Sequence, residues 1–433
     1  MVLLQQLAGI YLSTFGDISE YVLRQLMCRS STSIYFVTDC YHVGSIKSYE
    51  RKRILRVRIS GREQRRPSQW AKYMKCDENK KELIEFLLKD WSDARRFVDM
   101  FRGDKKLYVN CGTKFFLLKL NNDGLIECSE EDTLENSQEE ADTKVFLCAQ
   151  HASGENESLC IKTVDSDIGI YSLYFHDKIA AKQYIEIGVG NYKRILDVGY
   201  IASELGLSMC NSLPALHCFT GNDYTSAFYG VGKVKAFNLL RRFEEFHDTF
   251  TQFGNYFLFE ASLFASIEVF VCKMYGINCA NTDEARYKKF CNAKKKLPEP
   301  QQLPPTRDAL LCHCKRVSYA TAIIKKSLTQ FPNIPGPDGY GWMQEGNALK
   351  VQWMLRKPAP DEVLDLISCS CKKSCKTNSC LCKSHGVECS DLCGCDDECE
   401  NKDDGESNDD VDENDDDSDI EFDMRECSED END

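Results

Sequence analysis

The sequence predicts an α/β domain with a parallel central sheet flanked by helices, then a helical extension, a small cysteine-rich module and a disordered acidic tail. Three observations lead to this prediction. Two short apolar runs typical of buried strands are each followed by a carboxylate, at Asp39 and at Asp165. Nine cysteines lie within residues 369–399. The segment 403–433 contains 18 Asp and Glu against one Arg, a composition that cannot fold by burying apolar surface.

The acidic tail accounts for the net charge of the chain. The formal net charge is −15, and the tail contributes 18 negative charges and one positive charge, or −17, so residues 1–402 carry +2. A length of 433 residues with 42% hydrophobic composition allows two to four domains and a large core. The changes in composition predict an α/β domain over 1–250, a helical extension over 251–330, a linker with a short strand over 331–365, the cysteine module over 366–402 and the tail over 403–433.

The first residues form an amphipathic helical pattern without the basic start and the small-residue cleavage site of a secretory signal. The most apolar window, 256–276, is interrupted by Glu260 and Glu268, which predicts a buried helix and no membrane span. Twenty-four cysteines without an export signal favour a reducing compartment. We therefore expect the nucleus, with the cytoplasm as the alternative.

Two acidic pairs mark the ends of predicted elements. Residues 138–152 have helical spacing with Glu140 and Asp142 in the first turn, and residues 159–164 read as a strand that ends at Asp165, with Asp167 opening the next helix. Such positions face the crevice beyond the carboxyl ends of parallel strands, where these sheets hold ligands. Gathered carboxylates repel one another unless cations lie among them, so the pattern favours a metal site.

Basic residues follow the first predicted strand, and others follow Asp223, the last of the candidate acidic residues. From residue 51 to residue 66 half of the side chains are Lys or Arg, a density suited to phosphates, although such a run is more often a solvated face. A glycine-containing helix start follows Asp223 and combines backbone amides with lysines, as anion sites do. The candidate nucleic-acid-binding residues in these segments are Lys47, Arg51, Arg53, Gly230, Gly232, Lys233 and Lys235.

In order and rough spacing, these motifs resemble the flap endonuclease branch of the PIN-like nucleases. The matching segments are Asp39 with the basic residues after it, Glu140-Ala141-Asp142, Asp165-Ser166-Asp167, Gly221-Asn222-Asp223-Tyr224 and Gly230-Val231-Gly232-Lys233. The resemblance implies that Asp39, Glu140, Asp142, Asp165, Asp167 and Asp223 hold two Mg²⁺ or Mn²⁺ ions that act on a phosphodiester. The chain departs from the family where it lacks an acidic strand before Asp39 and has Asp142 in place of the usual Glu. A nuclease fold that binds nucleic acid without cutting it is therefore the alternative.

The nine clustered cysteines predict a zinc cluster. They are Cys369, Cys371, Cys375, Cys380, Cys382, Cys389, Cys393, Cys395 and Cys399. Three tetrahedral zinc ions need twelve ligand positions, which six thiolates bound once and three bridging thiolates supply. A segment this short has almost no apolar core, and metal binding would therefore provide its folding energy. Disulfides are the alternative, and they conflict with a reducing compartment.

The spacing of these cysteines resembles the CXC domain of the tesmin and TSO1 proteins. That resemblance implies DNA binding, with Lys372 and Lys373 on phosphates. The combination of the two domains also resembles uncharacterised proteins carried by animal mobile elements. A separate motif, Cys312-His313-Cys314, is not expected to bind metal, because side chains two residues apart on a helix point in different directions.

We expect a DNA-binding protein with a metal-dependent nuclease-like domain, with RNA as the alternative nucleic acid. The competing hypothesis is a non-catalytic, chromatin-associated CXC protein with a degenerate nuclease fold. A third function concerns the acidic tail, which could dock on a basic protein partner or cover the basic run of the same chain.

Overall fold

The computed structural model describes residues 2–40, 56–188, 192–292, 299–346 and 348–356, and short pieces of 368–402. These pieces are 368–372, 375–377, 379–384, 388–389, 393–395 and 399–402. The chain divides into two units, Met1–Leu355 and Arg356–Asp433. Four of the predicted basic residues, Lys47, Arg51, Arg53 and Lys373, and the acidic tail lie outside the described residues.

The fold of the first unit is mixed α/β, as predicted. Its helices are α1 (Val2–Gln5), α2 (Phe15–Met27), α3 (Trp70–Met74), α4 (Asp77–Trp91), α5 (Ala141–Ser153), α6 (Ser166–Phe175), α7 (Val198–Leu205), α8 (Leu207–Thr220), α9 (Lys233–Arg242), α10 (His247–Gln252), α11 (Phe264–Met274), α12 (Thr282–Cys291) and α13 (Arg307–Lys325). Single 3-10 turns lie at Gln6–Gly9, Val98–Phe101, Asp132–Leu134, Glu244–Phe246, Ala261–Leu263 and Pro300–Gln302. Among the described residues, no helix has the length and apolar character that crossing a bilayer requires.

The first sheet has four strands in sequence order. They are β1 (Ser33–Phe36), β2 (Lys106–Cys111), β3 (Lys114–Leu120) and β4 (Ile126–Glu130). Strand β1 runs parallel to β2, with Ser33 opposite Lys106, whereas β2, β3 and β4 form an antiparallel meander. The acidic and polar segment 124–138 contains β4, whose exposed polar residues Glu127 and Ser129 concealed the strand in the sequence.

The second sheet has three strands, β5 (Ser158–Lys162), β6 (Lys182–Ile187) and β7 (Arg194–Asp197). Strand β5 runs parallel to β6, and β6 runs antiparallel to β7. The strands that precede Asp39 and Asp165 thus belong to different sheets, and each sheet contains one parallel pair. In the described part of the chain, the strands do not form the single parallel central sheet that the sequence predicted.

The two sheets belong to two hydrophobic cores. The first core packs α2, α3 and α4 against β1 and β2, with Phe15, Trp70 and Trp91 fully buried. The second core packs α5, α6 and α8 against α11 and α13. Helices beyond residue 250 therefore share a core with residues 146–250, since Phe219, Phe250 and Phe270 contact one another at ring-centroid distances of 4.8–6.2 Å.

A hairpin ends the first unit, and the second unit has little regular structure. Strands β8 (Trp342–Glu345) and β9 (Ala348–Val351) pair antiparallel within the segment predicted as a linker with a short strand. The second unit contains one described helical turn, α14 (Leu381–Ser384), and its buried side chains are cysteines.

A buried carboxylate joins three elements of the first core. Asp90, near the end of α4, accepts hydrogen bonds from Ser19 of α2 and from the guanidinium groups of Arg62 and Arg96. The Asp90 side chain is 3% exposed, whereas those of Arg62 and Arg96 are 26% and 39% exposed. Asp90 therefore ties the loop before α3 and the segment after α4 to α2.

We expect Asp90→Ala to lower the free energy of unfolding by about 3 kcal/mol, because it leaves two guanidinium groups without their buried partner. This loss of unfolding free energy is at the low end for a broken buried ion pair, because both arginines keep some contact with water. Urea denaturation followed by tryptophan fluorescence measures the change. Asp99→Ala is the control, because Asp99 pairs with Arg102 on the surface, where both side chains are more than 75% exposed. Equal destabilisation by the two substitutions would contradict the role of Asp90.

Candidate functional site

Asp39 and the acidic start of α5 meet directly. The Oδ1 atom of Asp39 accepts a hydrogen bond of 3.0 Å from the backbone N–H of Ala141, and the N–H of Cys40 donates to the carbonyl of Glu139. Glu140 is the residue that precedes the first turn of α5, and Asp142 lies within that turn. The positive end of the helix dipole favours negative charge at these positions.

A buried lysine lies behind this acidic start. The Nζ atom of Lys144 donates to the carbonyl of Thr38 at 2.9 Å and to Oδ1 of Asn110 at 3.3 Å, and its side chain is fully buried. Burial lowers the pKa of the Lys144 ammonium, and the nearby Cys40, Asp39 and Glu139 oppose that shift. Lys144 therefore places a hydrogen-bond donor behind the carboxylates, where it holds the carbonyl of Thr38 next to Asp39. The sequence did not reveal this buried position, because a lysine four residues after Glu140 is typical of an exposed Glu–Lys pair on a helix.

The second acidic pair begins α6. Asp165 caps the helix, and its Oδ1 atom accepts a hydrogen bond of 2.9 Å from the N–H of Asp167. Burial raises the pKa of the Asp165 carboxyl; the hydrogen bond from Asp167 opposes this shift, and the charges of Asp167 and Asp223 add to it. Asp223, exposed in the turn after α8, is thus within electrostatic reach of Asp165. Such a group gains from a bound cation, because a positive charge offsets both the burial and the repulsion.

A buried histidine and a lysine lie on the other side of Asp167. The Nε2 atom of His217 is 3.0 Å from Oδ2 of Asp167, and Nδ1 of the same ring is 3.3 Å from Nζ of Lys233. Burial of Asp167 would raise the pKa of its carboxyl, but the nearby imidazole of His217 and the charge of Lys233 bring that pKa below its usual value. His217 was not among the predicted site residues, because one histidine inside the apolar helix α8 gives no sign of what its ring meets.

Two tyrosines lie between the acidic pairs. The hydroxyl of Tyr224 donates a hydrogen bond to Oε1 of Glu140. Burial raises the pKa of the Tyr171 phenol, and among the charges that add to this are those of Asp167, Asp142 and Glu140. The Tyr171 ring also packs edge-on against the imidazole of His217, with centroids 5.8 Å apart. Both acidic pairs therefore lie around the buried ring of Tyr171 and the half-buried ring of Tyr224, with Asp39 at the start of α5.

The donor set fits a hard divalent cation. Carboxylate oxygens are the ligands that Mg²⁺ and Mn²⁺ prefer, and Mg²⁺ usually keeps several waters and takes only one or two carboxylates. In the described part of the chain, no three of these acidic side chains bring their oxygens within 4.8 Å of one another. These carboxylates are therefore spaced more widely than the clustered cysteine sulfur atoms of the second unit.

The candidate nucleic-acid-binding residues occupy different environments. Gly230 lies in a tight turn with φ of 68°, a left-handed conformation that favours glycine, and Gly232 precedes the first turn of α9. Lys235 and Lys372 are exposed, as contact with phosphates requires. Lys233 instead turns toward His217, inside the acidic site.

The cysteines of the second unit form three overlapping groups of four, and within each group all sulfur atoms lie within 4.8 Å of one another. The groups are Cys369, Cys371, Cys375 and Cys380; Cys369, Cys380, Cys382 and Cys389; and Cys369, Cys375, Cys389 and Cys395. The Sγ–Sγ distances between neighbours run from 3.5 to 3.9 Å. Tetrahedral zinc with bonds of about 2.3 Å separates its sulfur ligands by about 3.8 Å. The cluster can therefore hold a metal such as zinc.

Polar groups of the second unit support these sulfur atoms. Asn401 donates to Sγ of Cys389 through Nδ2 at 3.3 Å, and its carbonyl accepts from the N–H of Cys389. A backbone hydrogen bond from Lys383 lowers the pKa of the Cys380 thiol to about 6, which favours the thiolate that binds metal. Cys393 lies 3.5 Å from Cys382, and Cys399 is buried.

The Cys312-His313-Cys314 motif belongs to the hydrophobic core. All three side chains are buried in α13, and Nε2 of His313 donates a hydrogen bond of 2.9 Å to the carbonyl of Phe219. The imidazole also packs against the rings of Phe219 and Phe228. Burial lowers the pKa of His313 to about 4.

No family model, curated protein or solved structure matches this chain.

We expect Cys369→Ser to release more of the bound metal than Cys371→Ser, because Cys369 belongs to all three groups of sulfur atoms and Cys371 to one. Plasma mass spectrometry of the purified proteins measures the zinc content. Cys128→Ser, at an exposed cysteine of β4, is the control and should keep the wild-type content. Equal loss from the two cluster variants would contradict the shared position of Cys369.

Acid should destabilise the first unit through His313. Its folded-state pKa of about 4 lies below the ordinary value of 6.5, so the unfolded chain binds a proton first as the pH falls. The stability from neutral His313 is complete above pH 6.5 and falls by about 3 kcal/mol as the pH drops to 4. His313→Gln can still donate to Phe219 and does not titrate. The difference in free energy of unfolding between wild type and His313→Gln should therefore shrink over this range, and a constant difference would exclude the effect.

Proposed function

We propose that the first unit is a metal-dependent nuclease domain of the flap endonuclease type and that the second unit is a zinc-binding CXC module. The observation that supports this most directly is the arrangement of the acidic residues. Four of them lie at the starts of α5 and α6, and Asp39 and Asp223 lie beside these starts. Helix N-termini favour negative charge at these positions, and bound cations would offset the repulsion among the carboxylates.

In this proposal Glu140, Asp142, Asp165, Asp167 and Asp223 hold two Mg²⁺ or Mn²⁺ ions, together with Asp39. The ions would activate a water and stabilise the leaving oxygen of a phosphodiester. The side chains of the protein arrange this site. Lys144 offsets the negative charge under Asp39, Tyr224 orients Glu140, and His217 holds Asp167.

DNA is the proposed partner, and the nucleus is the proposed location. The phosphate contacts would come from the basic run that includes Lys47, Arg51 and Arg53, and from the amides of the turn at Gly230 and Gly232 with Lys235. In the second unit, three zinc ions would fold the module and Lys372 and Lys373 would meet phosphates. The acidic tail would then dock on a basic protein or on the basic run of its own chain.

A non-catalytic DNA-binding protein is the second candidate. The observation in its favour is that no three acidic side chains of the described site approach within 4.8 Å. In that case the carboxylates serve the fold, and the zinc module carries the interaction with DNA.

Asp167→Asn separates the two candidates. We expect wild type to cut labelled single-stranded, duplex or flap DNA in Mg²⁺ or Mn²⁺, and the variant to cut about a hundredfold more slowly or worse, since the amide is a poor ligand for a hard cation. Asp123→Asn, at an exposed turn residue between β3 and β4, is the control and should cut like wild type. Retention of the same DNA by all three proteins in a binding assay, without cleavage by any, would establish the non-catalytic protein.

A further inference from the structure

We infer that helix α12 of the helical extension binds single-stranded DNA, with the phosphates beside Lys288 and Lys289 and the unpaired bases on Tyr287 and Phe290. The inference rests on the proposed function for the choice of DNA as the partner, but it needs neither the acidic residues nor a metal ion. It adds an interaction surface beyond residue 250, where the sequence predicted no contact with nucleic acid.

The cations on α12 are held by neutral groups. Nζ of Lys289 donates a hydrogen bond of 2.6 Å to the carbonyl of Gln302 and lies 4.7 Å from the ring centroid of Tyr275. The guanidinium of Arg286 donates to the carbonyl of Pro304 at 2.7 Å. Because a carbonyl or an aromatic ring has no net charge, these contacts position the two cations without neutralising them.

Two further lysines add positive charge from neighbouring helices. Burial lowers the pKa of the Lys289 ammonium, and the charge of Lys235 on α9 adds to that shift, so the two lysines are within electrostatic reach of each other. Lys273, near the end of α11, places its Nζ atom 4.1 Å from the ring centroid of Phe243. Like charges that repel one another gain from a bound anion, because the anion offsets their repulsion.

The two carboxylates of α12 lie in its first turn and are already engaged. Asp283 accepts a hydrogen bond of 2.9 Å from the backbone N–H of Arg307, and Glu284 pairs with Lys288 at 2.7 Å. The side chains of Lys288 and Glu284 are 46% and 45% exposed, so their pair is weak and a phosphate can compete for the ammonium.

A surface pocket on one side of α12 offers donors for a phosphate. It has a volume of about 440 Å³, and its lining includes Lys288 and Lys289, the ring of Tyr275 and the amide side chains of Asn278 and Asn292. Ammonium and amide groups donate hydrogen bonds to phosphate oxygens, and the described lining contains no carboxylate. The pocket therefore suits the backbone of a nucleic acid.

A second pocket presents exposed aromatic rings. It has a volume of about 460 Å³ and is lined by Tyr287 and Phe290, which are 69% and 44% exposed, together with Arg286 and Pro300. Residues 286 and 290 are one helical turn apart, as are 288 and 292, so the two pockets lie on different sides of α12.

These exposed rings favour a single strand over other anionic partners. Unpaired bases stack on aromatic side chains beside a cationic groove, and this stacking tolerates any sequence because every base has a π-face. A duplex keeps its bases stacked inside the helix, and an acidic peptide has no bases, so either would meet the lysines and leave the rings of Tyr287 and Phe290 without a partner.

The first test is photo-crosslinking of the zinc-loaded full chain to oligothymidylate that contains 5-iododeoxyuridine, without added Mg²⁺ or Mn²⁺. Iodouracil joins to aromatic side chains that it contacts, and mass spectrometry of the digested complex locates the joined residue. We expect a crosslink at Tyr287 or Phe290. Crosslinks at other segments alone, or no crosslink at all, would overturn the inference.

The second test is fluorescence anisotropy with labelled oligothymidylate and with a duplex of the same length. Tyr287→Ala should weaken binding of the single strand about fivefold or more, the loss expected for one stacked base, and should change binding of the duplex less than twofold. Tyr256→Ala is the matched control, because Tyr256 is 68% exposed in the loop between α10 and α11. Equal losses for single strand and duplex, or the same loss in the control, would contradict the stacking role.

The lysines are tested by the salt dependence of single-strand binding. Lys288→Gln and Lys289→Gln should each reduce the slope of log K against log salt concentration by about 0.7, since each removes one phosphate contact. Lys119→Gln, at an exposed lysine of β3, should keep the wild-type slope. Circular dichroism checks that each variant is folded, and Lys288→Gln decides the matter if the half-buried Lys289 proves necessary for folding. Unchanged slopes would overturn the phosphate contacts.

Failure of this surface and failure of the proposed nuclease have different signatures. If wild type does not cut DNA but the crosslink and the loss in Tyr287→Ala are observed, the nuclease fails and the surface stands. If wild type cuts DNA and neither measurement implicates α12, the surface fails and the nuclease stands.

Discussion

Compensation of half-buried negative charge is the constraint on which the first unit depends. Carboxylates gather at the starts of α5 and α6, where helix dipoles favour them but burial does not. Two lysines that are not fully exposed lie beside these carboxylates. Lys144 lies under Asp39 and Glu139, and Lys233 acts on Asp167 through His217. Lys144 belongs to α5, whereas His217 and Lys233 belong to α8 and α9. Each acidic pair therefore has a different lysine beside it.

This support extends into helices that follow the site in the sequence. Gln138, just before the acidic start of α5, donates through Nε2 to the carbonyls of Ser327 and Thr329 beyond the end of α13. Gln330 in turn donates to the carbonyls of Thr133 and Glu135. Helix α13 also buries His313 against Phe219 of α8, the helix that carries His217. The helices beyond residue 250 therefore position the acidic residues as much as the strands before them do.

The sequence located the acidic residues well, because their positions follow from local rules. A strand before Asp39, a helix over 138–152 and a helix start at Asp165 all occur, since apolar periodicity and capping are properties of neighbouring residues. The roles of Lys144, His217 and Lys233 could not be predicted, because each depends on contacts between elements distant in the chain. The split into two sheets escaped prediction for the same reason. A strand pattern specifies pleating and burial but not which strand lies beside it.

The two units offer different ligand atoms, thiolates in the second unit and carboxylate oxygens in the first. Soft thiolates at 3.5–3.9 Å from one another suit zinc, and the second unit has little apolar core besides those sulfur atoms, so its structure follows its metal. The first unit instead has extensive aromatic cores, so the packing of apolar side chains supports its fold. In the first unit the imidazole of His217 lies between Lys233 and Asp167, among nitrogen and oxygen atoms, whereas the second unit gathers sulfur atoms. The two groups of side chains therefore differ in the metals that their ligand atoms would prefer.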